Sequence, residues 1–253
     1  MTRTLLDIAP TIGTLAGIPL SGVQGSPITG FLEHFRGSAQ FPIVLVIVDS
    51  LCSNVYYHPE LRTPHIESLA ANGIIENLCT VSNKTTPAIA SILCGAYPEV
   101  HRVYITNDVK NPALRSILEI ASEMGIVCGM VTEAEGASAF RHRIDFTVGV
   151  SDSEDIRSYD EAILKGTLTL IRRGCDIVCA HFRSIDRAAH RAEQPADLAE
   201  ACEFVDTLVG RLMRLDASMF VCGDHLVHTR WQLGMHTTIP FIGCSTPIED
   251  STR

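Results

Sequence analysis

Six side chains able to hold divalent cations lie where an apolar run gives way to polar sequence: Asp49, Asp186, His190, Asp224, His225 and His236. Taken singly, each has an ordinary structural reading. An aspartate after a strand also serves as a turn residue or helix cap. Asp186-Arg187-Ala188-Ala189-His190 also has the spacing of two neighbours on one helical face. Together they supply three carboxylates and three imidazoles, a donor set sufficient for two divalent cations with positions left open. Zinc suits the imidazoles and manganese suits the carboxylates. A candidate nucleophile lies in Ser82-Asn83-Lys84-Thr85-Thr86-Pro87, ahead of an inward face of Ile89, Ile92 and Leu93 and a terminating Gly95. Pro87 fits a first helical turn, so Thr85 and Thr86 fall at a helix N-terminus, where free N–H groups favour an incoming phosphate. The same letters also read as Thr86 capping the helix and Thr85 in a loop. Cys175 and Cys179 have no second cysteine pair to complete a zinc site.

Such residues need elements to position them. Apolar runs at Ile43–Val48 and at 126–131, 176–180, 219–222 and 239–242 predict strands, apolar on both faces as buried parallel strands are. Helices are predicted between them. One opens at Asp7-Ile8-Ala9-Pro10 and stops at Gly17. Another has Thr63 as N-cap, Pro64 in its first turn and Gly73 at its end. A third opens at Asn111-Pro112, with Leu114, Ile117, Leu118 and Ala121 inward. Two more cover 158–173 and 197–215, and the loops fall at 21–30, 101–111 and 133–155. This alternation implies an α/β fold, a largely parallel central sheet with helices on both faces, in one domain spanning 1–253. Sites in such sheets gather beyond the carboxyl ends of the strands, where the six ligand candidates fall.

The chain has 253 residues, 46% hydrophobic and 19% charged, which excludes a disordered segment. Its formal charge of -9 argues against a nucleic-acid partner, since that binding comes largely from phosphate neutralisation. The longest strongly apolar run, 41–48, is far short of the about 20 residues a bilayer span needs, so no membrane partner is expected. Asp7 and Pro10 interrupt any secretion signal near the start. Nine cysteines, several inside apolar runs, read as core hydrophobes of a reducing compartment, so a cytoplasmic location is expected.

These pieces resemble the alkaline phosphatase superfamily, in particular its type I phosphodiesterase/nucleotide pyrophosphatase branch. The stretches that carry the resemblance include Ile43-Val44-Leu45-Val46-Ile47-Val48-Asp49 and Thr63-Pro64-His65-Ile66-Glu67-Ser68-Leu69-Ala70. Lys84-Thr85-Thr86-Pro87 and Gly95-Ala96-Tyr97-Pro98-Glu99-Val100-His101 follow. Asp186-Arg187-Ala188-Ala189-His190, Gly223-Asp224-His225 and Gly234-Met235-His236 complete them. One match is displaced. Leu6-Asp7-Ile8-Ala9-Pro10-Thr11-Ile12 resembles a segment that follows a strand like 239–242 in the family, yet here it comes first. A circular permutation accounts for this order, with the old ends joined through 22–40. It predicts that the Asp7 helix packs beside strand 239–242 and that the chain ends lie close together.

The resemblance implies two metal sites, one of Asp186, His190 and His236 and the other of Asp49, Asp224 and His225. It implies Thr85 as the nucleophile and Asn107 as the residue that hydrogen-bonds a phosphoryl oxygen. The implied substrate is a small phosphate mono- or diester. The implied alternatives are a phosphoryl transfer like that of the phosphoglycerate mutases and an inactive metal-binding regulator. Ser50, Ala189, Leu226 and Thr237 stand where the family often has glycine, and Ala88 where it often has asparagine. None of these removes a ligand, and larger side chains there narrow the substrate pocket.

Overall fold

The computed structural model describes residues 2–247 apart from 154, 192, 193 and 232. The chain runs α1 (Ile8–Ala16), α2 (Thr29–His34), β1 (Ile43–Val48), α3 (Ser53–Tyr56), α4 (Pro64–Asn72), β2 (Ile74–Cys79), α5 (Thr85–Cys94) and α6 (Pro98–His101). It continues through α7 (Ile117–Glu123), β3 (Cys128–Glu133), α8 (Ala134–Phe140), β4 (Phe146–Val150), α9 (Ile156–Arg172) and β5 (Ile177–Phe182). It ends with α10 (Ser184–Arg191), α11 (Pro195–Leu212), β6 (Ala217–Gly223) and β7 (Thr238–Thr246).

The strands form one sheet in the order β2-β7-β6-β1-β5-β3-β4. All neighbouring pairs are parallel except those of β7, which runs against both β2 and β6. The expected parallel strand at 239–242 is therefore antiparallel, and it is apolar because it is covered on both faces. Gly149 approaches Ala134 and Ala137 of α8, while the adjacent Val148 meets Gly166 of α9, so these helices cover opposite faces. The central strands β1, β5 and β6 are buried throughout, which fixes the ends that carry Asp49 and Asp224.

Several local expectations are revised. Thr63 does not cap α4; the buried Asp206 of α11 does so instead, accepting from the N–H groups of His65 and Ile66 at 3.1 and 2.9 Å. The helix expected from Asn111-Pro112 starts at Ile117, where Ser116 and Glu119 cap each other. The expected loop at 133–155 contains α8 and β4. The expected linker at 22–40 contains α2, whose Phe31 stacks on Phe241 at 4.4 Å between ring centroids and whose neighbour Phe35 packs on Phe220 at 5.1 Å.

The displaced N-terminal segment is stitched in by Asp7, which accepts from the N–H groups of Thr4 and Ser26. Its helix α1 packs on α5 and α2. Thr4 bridges to Cys79, which pairs with Thr238 at the start of β7. Thr246 lies at the other end of β7, about 27 Å away at the usual rise per residue. Thr4 and Thr246 thus lie toward opposite ends of β7, and the nearness of the chain ends that the permutation predicts concerns residues outside the described ones.

Candidate active site

Asp49 follows β1 directly, and its N–H donates to the carbonyl of Phe182 at 2.9 Å, which extends the sheet by one more bond. The chain then turns at Ser50, which adopts a left-handed conformation with φ of 66°. A side chain at that φ costs about 1–2 kcal/mol over glycine, and the Ser50 contacts offset it. The Ser50 N–H donates to Asp224 Oδ1 at 3.0 Å and its hydroxyl to Asp186 Oδ1 at 2.9 Å. One residue thus ties three carboxylate-bearing segments together. Gly223 ends β6 where a Cβ would lie 2.0 Å from the carbonyl oxygen of Leu51. Only glycine lets the two strand exits approach so closely.

The next segment is set by a buried acid. Asp160 of α9 accepts from the N–H groups of Arg183 and Ser184, both at 2.9 Å, and from the Ser184 hydroxyl at 2.6 Å. It thereby caps α10, which carries Asp186 in its first turn and His190 in its last. Burial raises the Asp160 carboxyl, against these hydrogen bonds.

Asp49, Asp224 and His225 are nearly inaccessible. His225 Nε2 lies 3.1 Å from Asp49 Oδ1 and 3.6 Å from Asp224 Oδ2. Among the described residues, donor atoms within 4.8 Å of one another form two groups that share Asp49: Asp49 with Asp186 and His225, and Asp49 with His181 and Asp224. His181, absent from the sequence expectations, is the penultimate residue of β5 and is buried beside Asp49, with Nε2 3.5 Å from Oδ2. Its visible signal was an imidazole inside an otherwise apolar strand.

The charges are unbalanced. Burial would raise the Asp49 carboxyl, but the adjacent His181 and His225 imidazoles outweigh it and hold it well below the usual range. Asp224 is pushed up to about 7 by burial and by the Asp49 charge. Burial opposes a proton on His225, yet the bond to Asp49 and the charges of Asp224 and Asp49 raise it to about 10. Asp224 Oδ2 and His181 Nε2 are buried without a hydrogen-bond partner. Surplus buried carboxylate and unsatisfied donor atoms facing one another are what a cation corrects, so this donor set fits a metal centre.

The outer candidates are looser. His190 Nε2 lies 3.5 Å from Asp186 Oδ1 with its side chain 55% exposed. His236 is exposed, anchored through its backbone to Asn54 at 2.8 and 2.9 Å, with its ring toward Tyr57. Neither belongs to the two close donor groups. The expected trio of Asp186, His190 and His236 is thus not assembled, and Asp186 groups with the inner residues instead. His228, also absent from the expectations, packs its ring 5.9 Å from that of His190 and 5.2 Å from that of His225.

Thr85 is the first residue of α5, and its N-cap position, Lys84, provides no side-chain cap. The helix begins two residues earlier than Pro87 suggested, so Thr86 is no cap; its hydroxyl meets that of Thr106 at 3.3 Å. Thr85 Oγ1 lies 3.1 Å from His225 Nε2 and 3.4 Å from Asp49 Oδ2. It faces a cavity of about 380 Å³ lined also by Asp186, His190, His225 and His228. Asn107 does not line that cavity; it is exposed and accepts from Lys110 at 3.0 Å. Asn83 and Thr106 line it instead.

The sulfatase family model matches residues 42–175. No curated protein sequence matches the chain. Among solved structures, phosphonoacetate hydrolase from Sinorhizobium meliloti 1021, in complex with phosphonoformate, is similar with a TM-score of 0.62 at 16% identity, over 74% of this chain and 57% of that one. A protein in the alkaline phosphatase superfamily from Vibrio parahaemolyticus gives 0.61 at 14% identity, over 83% and 61%. Murine ectonucleotide pyrophosphatase/phosphodiesterase 5, in complex with AMP, gives 0.58 at 15% identity, over 74% and 57%. The chain thus spans little more than half the length of the first of these.

Proposed function

The chain belongs to the sulfatase family and has the alkaline phosphatase-like fold, and from that premise we propose that it hydrolyses small phosphate mono- or diesters with Thr85 as nucleophile. The observation that carries this reading is the position of Thr85. Its hydroxyl stands at an uncapped helix N-terminus, within 3.5 Å of both Asp49 and His225. A threonine hydroxyl is a poor nucleophile at neutral pH unless it is activated.

Asp49, Asp224, His225 and His181 would hold one divalent cation, and Asp186 with His190 a second, sharing Asp49 or drawing in His236 or His228. Bound cations supply Lewis-acid stabilisation of charge on the phosphoryl and attacking oxygens. Zinc is the first choice for the imidazole-rich donor set and manganese the second. Thr85 Oγ1 loses its proton and attacks phosphorus as the ester oxygen departs and takes up a proton, and water then restores the Thr85 hydroxyl, releasing phosphate from a monoester or a phosphate monoester from a diester. The N–H groups of the first turn of α5 face the developing charge. Ser50 keeps the Asp224 and Asp186 carboxylates in register.

Phosphate is favoured over sulfate because Thr85-Thr86-Pro87-Ala88-Ile89 lacks the Cys or Ser and the later Arg with which sulfatases resemble one another. Two structural neighbours, a phosphonoacetate hydrolase and an ectonucleotide pyrophosphatase/phosphodiesterase, point the same way. All nine cysteines are free thiols, which supports a reducing, cytoplasmic setting. Among the described residues no helix is long and apolar enough to cross a membrane. The test is release of p-nitrophenol from a phosphomonoester and a phosphodiester by zinc- or manganese-loaded protein, with product analysis. Net hydrolysis supports the reading, phosphoryl relocation within an added phosphoglycerate indicates a mutase, and no turnover with either metal contradicts it.

A further inference from the structure

The cavity above the carboxylates has a neighbour. Thr85, Thr86 and Thr106 form a wall common to it and to a second cavity of about 80 Å³ that runs along α5. A single buried water needs only about 10–15 Å³ on the same measure, so this space takes a group of several heavy atoms. Ile89, Leu93, Val103, Met130 and Phe140 line it.

Its charged lining groups are already engaged, and His181, which also lines it, is taken up by the donor group of Asp49 and Asp224. Arg143 donates through Nε to Glu119 at 2.8 Å, and through Nη1 to the carbonyls of Val109 and Ala139 at 2.9 and 3.2 Å. Glu119 also accepts from the N–H and hydroxyl of Ser116 at 2.8 and 2.7 Å. Glu133 pairs with Arg183 at 3.3 Å. These bonds leave the cavity to offer apolar contact rather than charge. At the rim of the larger cavity, Tyr104 and Ile105 are 50% and 59% exposed, an apolar approach to the same wall.

We infer that this second cavity receives a neutral apolar substituent of the ester, of the size of one aromatic ring or a short branched alkyl chain. The inference rests on the phosphoester reading for the anion and adds which esters are preferred. A nucleobase seated there would bury donors and acceptors against aliphatic walls, which disfavours it.

The test is calorimetric binding of phenylphosphonate and methylphosphonate to the zinc-loaded chain, neither of which is cleaved. Phenylphosphonate is expected to bind about tenfold tighter or more, from the apolar area it buries. Ala90 lines the cavity, and Ala90→Leu or, independently, Ile89→Phe should fill it and bring the two affinities within about threefold. Equal affinities in the unmodified chain, a preference that survives both variants, or binding of neither ligand overturns the inference. Hydrolysis of phenyl p-nitrophenyl phosphate and methyl p-nitrophenyl phosphate is followed in parallel. A phenylphosphonate preference without turnover of either ester upholds the cavity and overturns the hydrolase reading. Turnover of both esters with equal phosphonate affinities does the reverse.

Discussion

Asp49, Asp224, His225 and His181 sit at or beside the ends of three adjacent strands in the middle of the sheet, and all are buried. Asp186 and His190 hang from an eight-residue helix, and His236 lies on the approach to β7. The first set meets within hydrogen-bond and ion-pair distances. The second does not close. Parallel registers between β1, β5 and β6 leave the inner side chains no freedom to spread. The outer side chains are attached to a short helix and a loop. The inner half is placed by the sheet, the outer half by a short helix and a loop.

The largest expected effect follows from this contrast. In metal-free protein, His225→Ala should cost about 3–5 kcal/mol, because the buried Asp49 carboxylate loses a charged partner. His190→Ala, at a half-exposed side chain, should stay within about 0.5 kcal/mol. Urea denaturation of both variants checks the pair, and equal losses would erase the distinction.

The pH dependence of metal-free stability sharpens it further. His225 holds its proton to about 10 in the folded chain against an ordinary 6.5. Its contribution is therefore complete below 6.5 and is lost as pH rises towards 10. Asp224, raised from 3.8 to about 7, stabilises the fold only while it is protonated, so its contribution fades across that interval. Asp49 works in the opposite sense, stabilising above its ordinary range and fading in acid. Thermal unfolding of metal-free protein should therefore occur at progressively lower temperature from neutral pH to about 10. Zinc, which binds deprotonated ligands, should flatten that decline. A metal-free curve that rises over the same interval would mean that His225 does not hold its proton beside Asp49 in the folded chain.

A smaller effect concerns the order of filling. A preassembled site spends less free energy on ordering its ligands, so zinc should occupy the inner half first, with affinities separated by about tenfold or more. Calorimetric titration should resolve two steps, with His225→Ala removing the tighter and His190→Ala the weaker.

The same contrast decides what could be read from the sequence. Strand β1 is legible to its boundaries because six apolar residues end abruptly at Asp49. Strand β2 is not, because Glu76 and Asn77 interrupt it and, as a half-exposed edge strand, it carries no continuous apolar run. Strand β4, at the other edge, hides in Phe-Thr-Val-Gly-Val, where Gly149 weakens the strand signal but admits α8. Asp49, Asp224 and His225 were legible because strand ends expose polar residues abruptly. His181 was masked by its apolar neighbours, and Asn107 was misplaced because a short 3-10 turn, Thr106–Lys110, rotates it into solvent. Thr86 shows the limit of local capping logic: it lies inside α5 rather than at its cap. Thr86→Ala is accordingly expected to shift stability by no more than about 0.5 kcal/mol, the smallest of these effects.

The central claim is that Thr85 is the attacking group at a site whose ligands are other residues. Thr85→Ala removes the hydroxyl and leaves Asp49, Asp224, His225, His181 and Asp186 in place. Turnover of a chromogenic phosphodiester, measured on samples whose zinc content is determined at the same time, separates the two roles. The account predicts loss of turnover by about a thousandfold or more with metal content unchanged, and partial retention in Thr85→Ser. Turnover near that of the unmodified chain in metal-replete Thr85→Ala would contradict it.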